Sequence, residues 1–299
     1  MAWWQFSLNC QASELEQVEN LMTGLGAVSI SLSDAGDEPI YEPLPGDNPV
    51  WQESIIAAIF DDASDHEFLY QQITGELPAH LAQGVRLKTL HDQDWNQSYK
   101  KHFHPLQCAP DLWIVPSWSE PPDPAATIIR LDPGLAFGTG SHPTTALCLA
   151  WLAASDIDNR RVIDFGCGSG ILAIAAVKLG ARQVIAVDID KQALTACHSN
   201  MAVNAIKSEQ IQVIPPGELG QSRVDLLIAN ILADPLIELA PGFAELVEPG
   251  GQILLSGILK TQLEDIQSAY RPYFILDPAS CREDWVCISG HRFQQEANV

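Results

Sequence analysis

At 299 residues, with 16 basic against 38 acidic side chains and a net charge of −22, the chain is long enough for one large or two ordinary domains. No stretch approaches the ~20 consecutive apolar residues of a membrane span. A surface this acidic repels a phosphate backbone, which argues against direct nucleic-acid binding and favours a basic protein partner. An acidic surface kept for solubility or salt tolerance is the alternative.

The charge is uneven: no Lys or Arg occurs from Met1 to Val85, whereas acids recur from Glu14 to Glu76. The seven cysteines include no C-x-x-C pair, which argues against a disulfide framework or a zinc site. His102 and His104 have no companion ligand motif, so no metal is expected. The opening Met-Ala-Trp-Trp-Gln-Phe lacks the basic region of a signal peptide, and the cysteine usage leads to the expectation of a reducing cytoplasm.

In chain order, Trp3 to Cys10 alternates as a strand does, Ser13 to Leu25 has helical spacing, and Ala27 to Leu32 alternates again. A loop from Asp34 to Pro49 leads to a strand over Ser54 to Phe60, a helix over His66 to Leu77 and a strand over Val85 to Leu90. This βαββαβ order predicts a ferredoxin-like α+β domain over residues 1–91. A linker helix is expected within 92–106, over Asp92 to Phe103, and the remaining residues, 107–299, form the second domain.

Leu112 to Pro116 and Thr127 to Leu131 read as short strands around a Pro-rich turn at 121–124. Next comes Asp132-Pro-Gly-Leu-Ala-Phe-Gly-Thr-Gly-Ser-His-Pro-Thr-Thr145, with Pro143 suited to a first helical position. Glycines feeding a helix N-terminus offer N–H groups and hydroxyls to an anionic ligand group. The plainer alternative is a turn followed by an N-cap at Thr144 or Thr145.

The most informative stretch is Val162 to Leu172. A buried strand over Arg161 to Phe165 runs into Gly166-Cys-Gly168-Ser-Gly170, and a helix starts at Ile171. Glycine lets backbone approach a ligand closely. A dinucleotide fingerprint, G-x-G-x-x-G, needs its third glycine at position 171, which is Ile171. An apolar strand over Val184 to Asp188 then ends in an acid able to accept both hydroxyls of a ribose.

The rhythm continues with a helix over Lys191 to Asn204 and strands over Ile211 to Ile214 and Val224 to Ala229. A helix follows over Pro235 to Val247, then a turn at Pro249-Gly-Gly251 into a strand over Gln252 to Ser256. The chain closes with a helix over Thr261 to Tyr270 and strands near Tyr273 to Leu276 and Trp285 to Arg292. Such alternation predicts a mostly parallel, doubly wound α/β sheet with ligands at the carboxyl ends of its strands. Asn230 stands at one such end, where its amide both donates and accepts; serving a turn or capping the next helix is the alternative.

The Asp164-x-Gly-x-Gly-x-Gly170 pattern resembles motif I of class I S-adenosylmethionine-dependent methyltransferases. Over nearly its whole length the chain also resembles the PrmA family, bacterial methyltransferases of the eleventh large-subunit ribosomal protein. The resemblance is carried by Leu131 to Thr145, Val162 to Leu172, Val187-Asp-Ile-Asp190, Asn230-Ile-Leu-Ala-Asp-Pro-Leu236, Ser256-Gly-Ile-Leu259 with Gln262, and Trp285. Departures are Ser141, Tyr99 and the closing Gly290-His-Arg-Phe.

The resemblance implies a Rossmann-like class I fold with S-adenosylmethionine as co-substrate and no metal. It implies cofactor contacts at Thr145, Gly166, Gly168, Asp188 and Asn230, with the carboxylate at the motif's start holding the ligand's amino end. It further implies that the small domain captures the ribosomal protein, whose lysine and N-terminal amines receive methyl groups. A monomer is expected and no catalytic acid or base is assigned. A methyltransferase of the same class acting on another protein or a small amine is the alternative.

Overall fold

The computed structural model describes residues 2–36, 50–61, 63–91, 103–132, 140–220 and 223–294. The chain divides into two compact units, Met1–Lys101 and His102–Val299.

The first unit runs β1 (Ala2–Gln11), α1 (Leu15–Gly24), β2 (Ser29–Asp34), β3 (Glu53–Asp61), α2 (His66–Glu76), a single turn α3 (Ala79–Ala82) and β4 (Arg86–His91). Its four strands pair antiparallel in the order β2-β3-β1-β4, the ferredoxin-like arrangement that the βαββαβ pattern predicts. Period-2 alternation places Phe6, Leu8, Ile56, Ala58 and Phe60 on one buried face. Val18 and Met22 of α1 and Leu69 and Ile73 of α2 close over that face. Asp65 caps α2 by accepting from the N–H groups of Glu67 and Phe68.

The second unit opens with β5 (Leu106–Ala109), β6 (Leu112–Val115) and β7 (Thr127–Arg130), a three-stranded sheet. β6 and β7 pair in parallel, so the Pro-rich segment between them is a crossover and not a hairpin turn. Asn204 fixes β7 from far along the chain: its Oδ1 accepts from Arg130 N at 2.8 Å and its Nδ2 donates to Arg130 O at 2.7 Å. The linker helix expected from Asp92 lies outside the described residues except at its end; Phe103 is not helical, and Leu106, placed in the linker, begins a strand.

Then follow α4 (Pro143–Ala154), β8 (Arg161–Phe165), α5 (Ile171–Lys178), β9 (Gln183–Val187), α6 (Lys191–Val203), β10 (Ile211–Ile214) and β11 (Val224–Asn230). The chain continues through α7 (Ala233–Leu246), β12 (Val247–Leu259), α8 (Leu263–Tyr270), β13 (Phe274–Leu276), β14 (Ser280–Arg282) and β15 (Trp285–Arg292). The large sheet has the order β10-β9-β8-β11-β12-β15-β13. The first five are parallel neighbours, and β15 runs antiparallel to both β12 and β13. Helices cover both faces, which is why these strands are apolar throughout and do not alternate. The expected turn at 249–251 lies within β12 as a bulge, where the pairing with β11 passes from Val247 to Gln252.

From β8 the chain winds through β9 to β10, then returns to place β11 on the other side of β8. The order therefore reverses between β8 and β11, and the crevice beyond their carboxyl ends lies between Gly166 and Asn230. Among the described residues, no helix is long and apolar enough to cross a membrane.

Candidate functional site

The loop from Gly166 to Gly170 joins the buried strand β8 to α5. Gly166, Gly168 and Gly170 have φ of +77°, +52° and +78°, the left-handed region that side chains disfavour. The loop is pinned on three sides. Gly166 N and Cys167 N both donate to Val187 O, at 2.8 and 3.0 Å. Asn200 Nδ2 of α6 donates to Ser169 O at 2.8 Å. A Cβ at Gly170 would lie 2.4 Å from Cys197 Sγ, and one at Gly166 would lie 2.2 Å from Ile231 Cγ2.

Asp188 follows the last residue of β9, half-buried. Its Oδ2 accepts from Gly168 N and its Oδ1 from Asp190 N, each at 2.9 Å. Asp190 in turn caps α6, accepting from Gln192 N at 2.8 Å. Each carboxylate oxygen of Asp188 offers more than one acceptor direction, so it can still take hydroxyl donors.

Asp164 is the second carboxylate of the site. It is 1% exposed, and its Oδ2 accepts from Ala173 N in the first turn of α5 at 2.9 Å. Gly170, the N-cap of α5, has no side chain to cap with, so the strand's aspartate serves one of the helix's orphan N–H groups. The other oxygen, Oδ1, is buried with no hydrogen-bond partner among the described residues. Burial pushes this carboxyl up to about 7, Ala173 N–H opposes the rise, and the charge of Asp188 adds to it.

Opposite the loop, α4 starts with Pro143 at its first position. His142, and not Thr144 or Thr145, is the N-cap: its Nδ1 accepts from Thr144 N and lies 2.8 Å from Thr144 Oγ1. Proline fixes the start of the helix two residues earlier than a cap at Thr144 would. Both threonines thus fall inside the first turn and are buried. The His142 ring packs edge-on against Trp285 with centroids 4.9 Å apart, and burial pushes its pKa down.

Asn230 ends β11, and its Nδ2 donates to Thr145 Oγ1 at 3.4 Å. It does not cap α7, whose N-cap is Leu232. Ile231, the next residue, packs on Gly166, linking this pair to the loop.

All five residues expected from the sequence therefore converge at the reversal of strand order, Gly168 with Asp188 and Thr145 with Asn230, with Gly166 between the pairs. Gly134 and Gly138 lie outside the described residues. Gly140 has φ +85°, and a Cβ there would meet Ile114 Cδ1 at 2.1 Å. Sequence reasoning missed Cys197; Ile231 and Gly257 entered only within the stretches that carry the resemblance, without a role attached to either. Among the described residues, no group of three or more His, Cys, Asp or Glu could hold a metal ion.

The donor and acceptor set fits a nucleoside that carries an ammonium. A carboxylate at a strand end suits vicinal hydroxyls, a loop without Cβ atoms admits close approach, and one buried carboxylate oxygen lacks a donor.

A family profile described as ribosomal protein L11 methyltransferase (PrmA) matches residues 2–293. The chain is 43% identical over 295 residues to the ribosomal protein L11 methyltransferase of Marinobacter nauticus, covering 98% of this chain and 99% of that protein. It is 45% identical over 296 residues to the protein of the same name from Pseudomonas aeruginosa, covering 98% and 99%. The crystal structure of a ribosomal protein L11 methylase from Lactobacillus delbrueckii subsp. bulgaricus superposes with a TM-score of 0.59 at 37% identity, covering 64% of this chain and 100% of that one.

Proposed function

The chain belongs to the ribosomal protein L11 methyltransferase (PrmA) family, and we propose that it transfers methyl groups from S-adenosylmethionine to lysine side-chain and N-terminal amines of ribosomal protein L11. The observation that carries this reading is the meeting of Asp188, the glycine loop, Thr145 and Asn230 at one crevice. In this reading Asp188 accepts the ribose hydroxyls, Gly166 and Gly168 admit the middle of the molecule, and Thr145 and Asn230 orient its polar end. Asp164 offers Oδ1 to the ammonium.

S-adenosylmethionine, when bound, supplies a methyl carbon on a positively charged sulfur, which leaves neutral. This chain's residues therefore need to align and desolvate the reactants more than to exchange protons with them. Alignment alone is worth up to ~7–11 kcal/mol in well-oriented intramolecular reactions. The acceptor amine must arrive without its proton, and a free lysine has a pKa of ~10.4. A pocket that excludes water favours the neutral amine.

The small domain captures the substrate in this account. Its first 85 residues contain no Lys or Arg, so a basic protein is attracted and nucleic acid repelled. The chain works as a cytoplasmic monomer and uses no metal. Mass spectrometry of L11 from a strain lacking this gene tests the assignment. The amines should lose their methyl groups and regain them with the wild-type gene; unchanged methylation would reject L11 as the substrate.

A further inference from the structure

The carboxyl group of Asp164 is sealed from solvent, one oxygen is served by a single backbone N–H, and the other has no donor among the described residues. A charged carboxylate in that state lacks most of the hydrogen bonds that stabilise it in water. Among the described residues, the titratable groups that face it bring no positive charge. Asp188, beyond β9, is another acid, and the thiols of Cys148 on α4 and Cys167 in the loop are themselves pushed up by their thiol neighbours and by burial.

We propose that Asp164 carries a proton in the empty protein and releases it when a ligand's ammonium group lodges against Oδ1, so that cofactor binding is coupled to proton release. The O–H bond of the carboxyl breaks, the proton passes to the buffer, and the new carboxylate pairs with the incoming cation. Burial, with the charge of Asp188 added and the Ala173 N–H opposing, holds the empty carboxyl up to about 7, so the coupling falls in the physiological range. An opposite charge within ~4–6 Å favours the ionised form, which supplies the difference between the two states.

The sign follows from which state binds the proton. Below about pH 7 the empty protein must give one up to bind, so affinity falls as pH falls. Above that pH the carboxylate already exists and affinity levels off. The coupling rests on the cofactor assignment made above, and two ligands separate the failure of one from the failure of the other. S-adenosylhomocysteine carries the ammonium, and 5′-methylthioadenosine has the same nucleoside without it.

Calorimetric titration in two buffers of different ionisation enthalpy counts the protons released. For S-adenosylhomocysteine the full-length protein should release close to one proton per ligand at about pH 6. Its affinity should weaken by about tenfold per pH unit on the acidic side of 7. 5′-Methylthioadenosine should bind with neither effect. Asp164→Asn, which keeps an acceptor for Ala173 N, should make S-adenosylhomocysteine binding independent of pH. Binding of S-adenosylhomocysteine without proton release, or an unchanged pH slope in Asp164→Asn, overturns the coupling and leaves the cofactor assignment standing. No heat with either ligand at any pH overturns both.

Discussion

Replacing Asp188 with alanine is expected to weaken S-adenosylhomocysteine binding by at least about a hundredfold. Two ribose hydroxyls donating to one carboxylate make two charge-assisted hydrogen bonds, each worth roughly 1.5–3 kcal/mol. Their sum corresponds to a factor of roughly 10² to 10⁴ in affinity. The substitution also removes the acceptor for Gly168 N and Asp190 N, so the loop loses the bond that ties its middle to the end of β9. Gly166 and Cys167 keep their bonds to Val187 O, and Gly170 stays packed on Cys197, so the fold itself should survive. Calorimetry on the variant, with circular dichroism to verify folding, checks both halves. A loss of less than about fivefold would mean that the ribose is held elsewhere.

Gly257→Ala is expected to cost roughly 2–5 kcal/mol of folding stability, a large loss for a single added methyl. The residue lies inside β12 with φ +85°, where a side chain is disfavoured by roughly 1–2 kcal/mol. A Cβ there would stand 2.2 Å from Ile231 O and 2.8 Å from Ile231 C. Those are backbone atoms, so no rotamer change relieves the clash, and overpacking adds about 1–3 kcal/mol. The displaced residue follows Asn230 and packs on Gly166, so cofactor affinity should fall along with stability. Denaturant titration and calorimetry on the same preparation read the two effects. A stability loss below about 1 kcal/mol would show that Ile231 moves freely and does not brace the crevice.

Local sequence signals carried much of this architecture. β8 spans Arg161–Phe165 and β10 spans Ile211–Ile214, as their apolar runs predict, because each run is bounded by turn-forming residues on both sides. The βαββαβ unit was legible because alternation in its strands reflects one covered face and one uncovered face. The glycine loop and the acid at position 188 were legible because both follow directly from a strand's end.

What could not be seen is what depends on distant partners. Thr145 and Asn230 are 85 positions apart, and their bond exists only because β11 returns beside β8. The need for glycine at 257 and 170 comes from Ile231 and Cys197, each on another element. The parallel pairing of β6 and β7 overrode the turn chemistry of the prolines between them, and the bonds from Asn204 to Arg130 span 74 positions. β5 (Leu-Gln-Cys-Ala) and β14 (Ser-Cys-Arg) lack the apolar runs that mark equally short strands such as β10, and α3 is a single turn of four residues. Pro143 marks the first position of α4 as expected, and the alternative of a cap at Thr144 or Thr145 fails because His142, the residue before the proline, is the N-cap.

The most direct test of the account is transfer of labelled methyl groups from S-adenosylmethionine into unmethylated ribosomal protein L11 by the purified full-length protein. The account predicts label on lysine and N-terminal amines, with a KM for L11 that rises with ionic strength because the acidic small domain attracts a basic substrate. A protein that binds S-adenosylhomocysteine yet leaves L11 unlabelled at every salt concentration would contradict it.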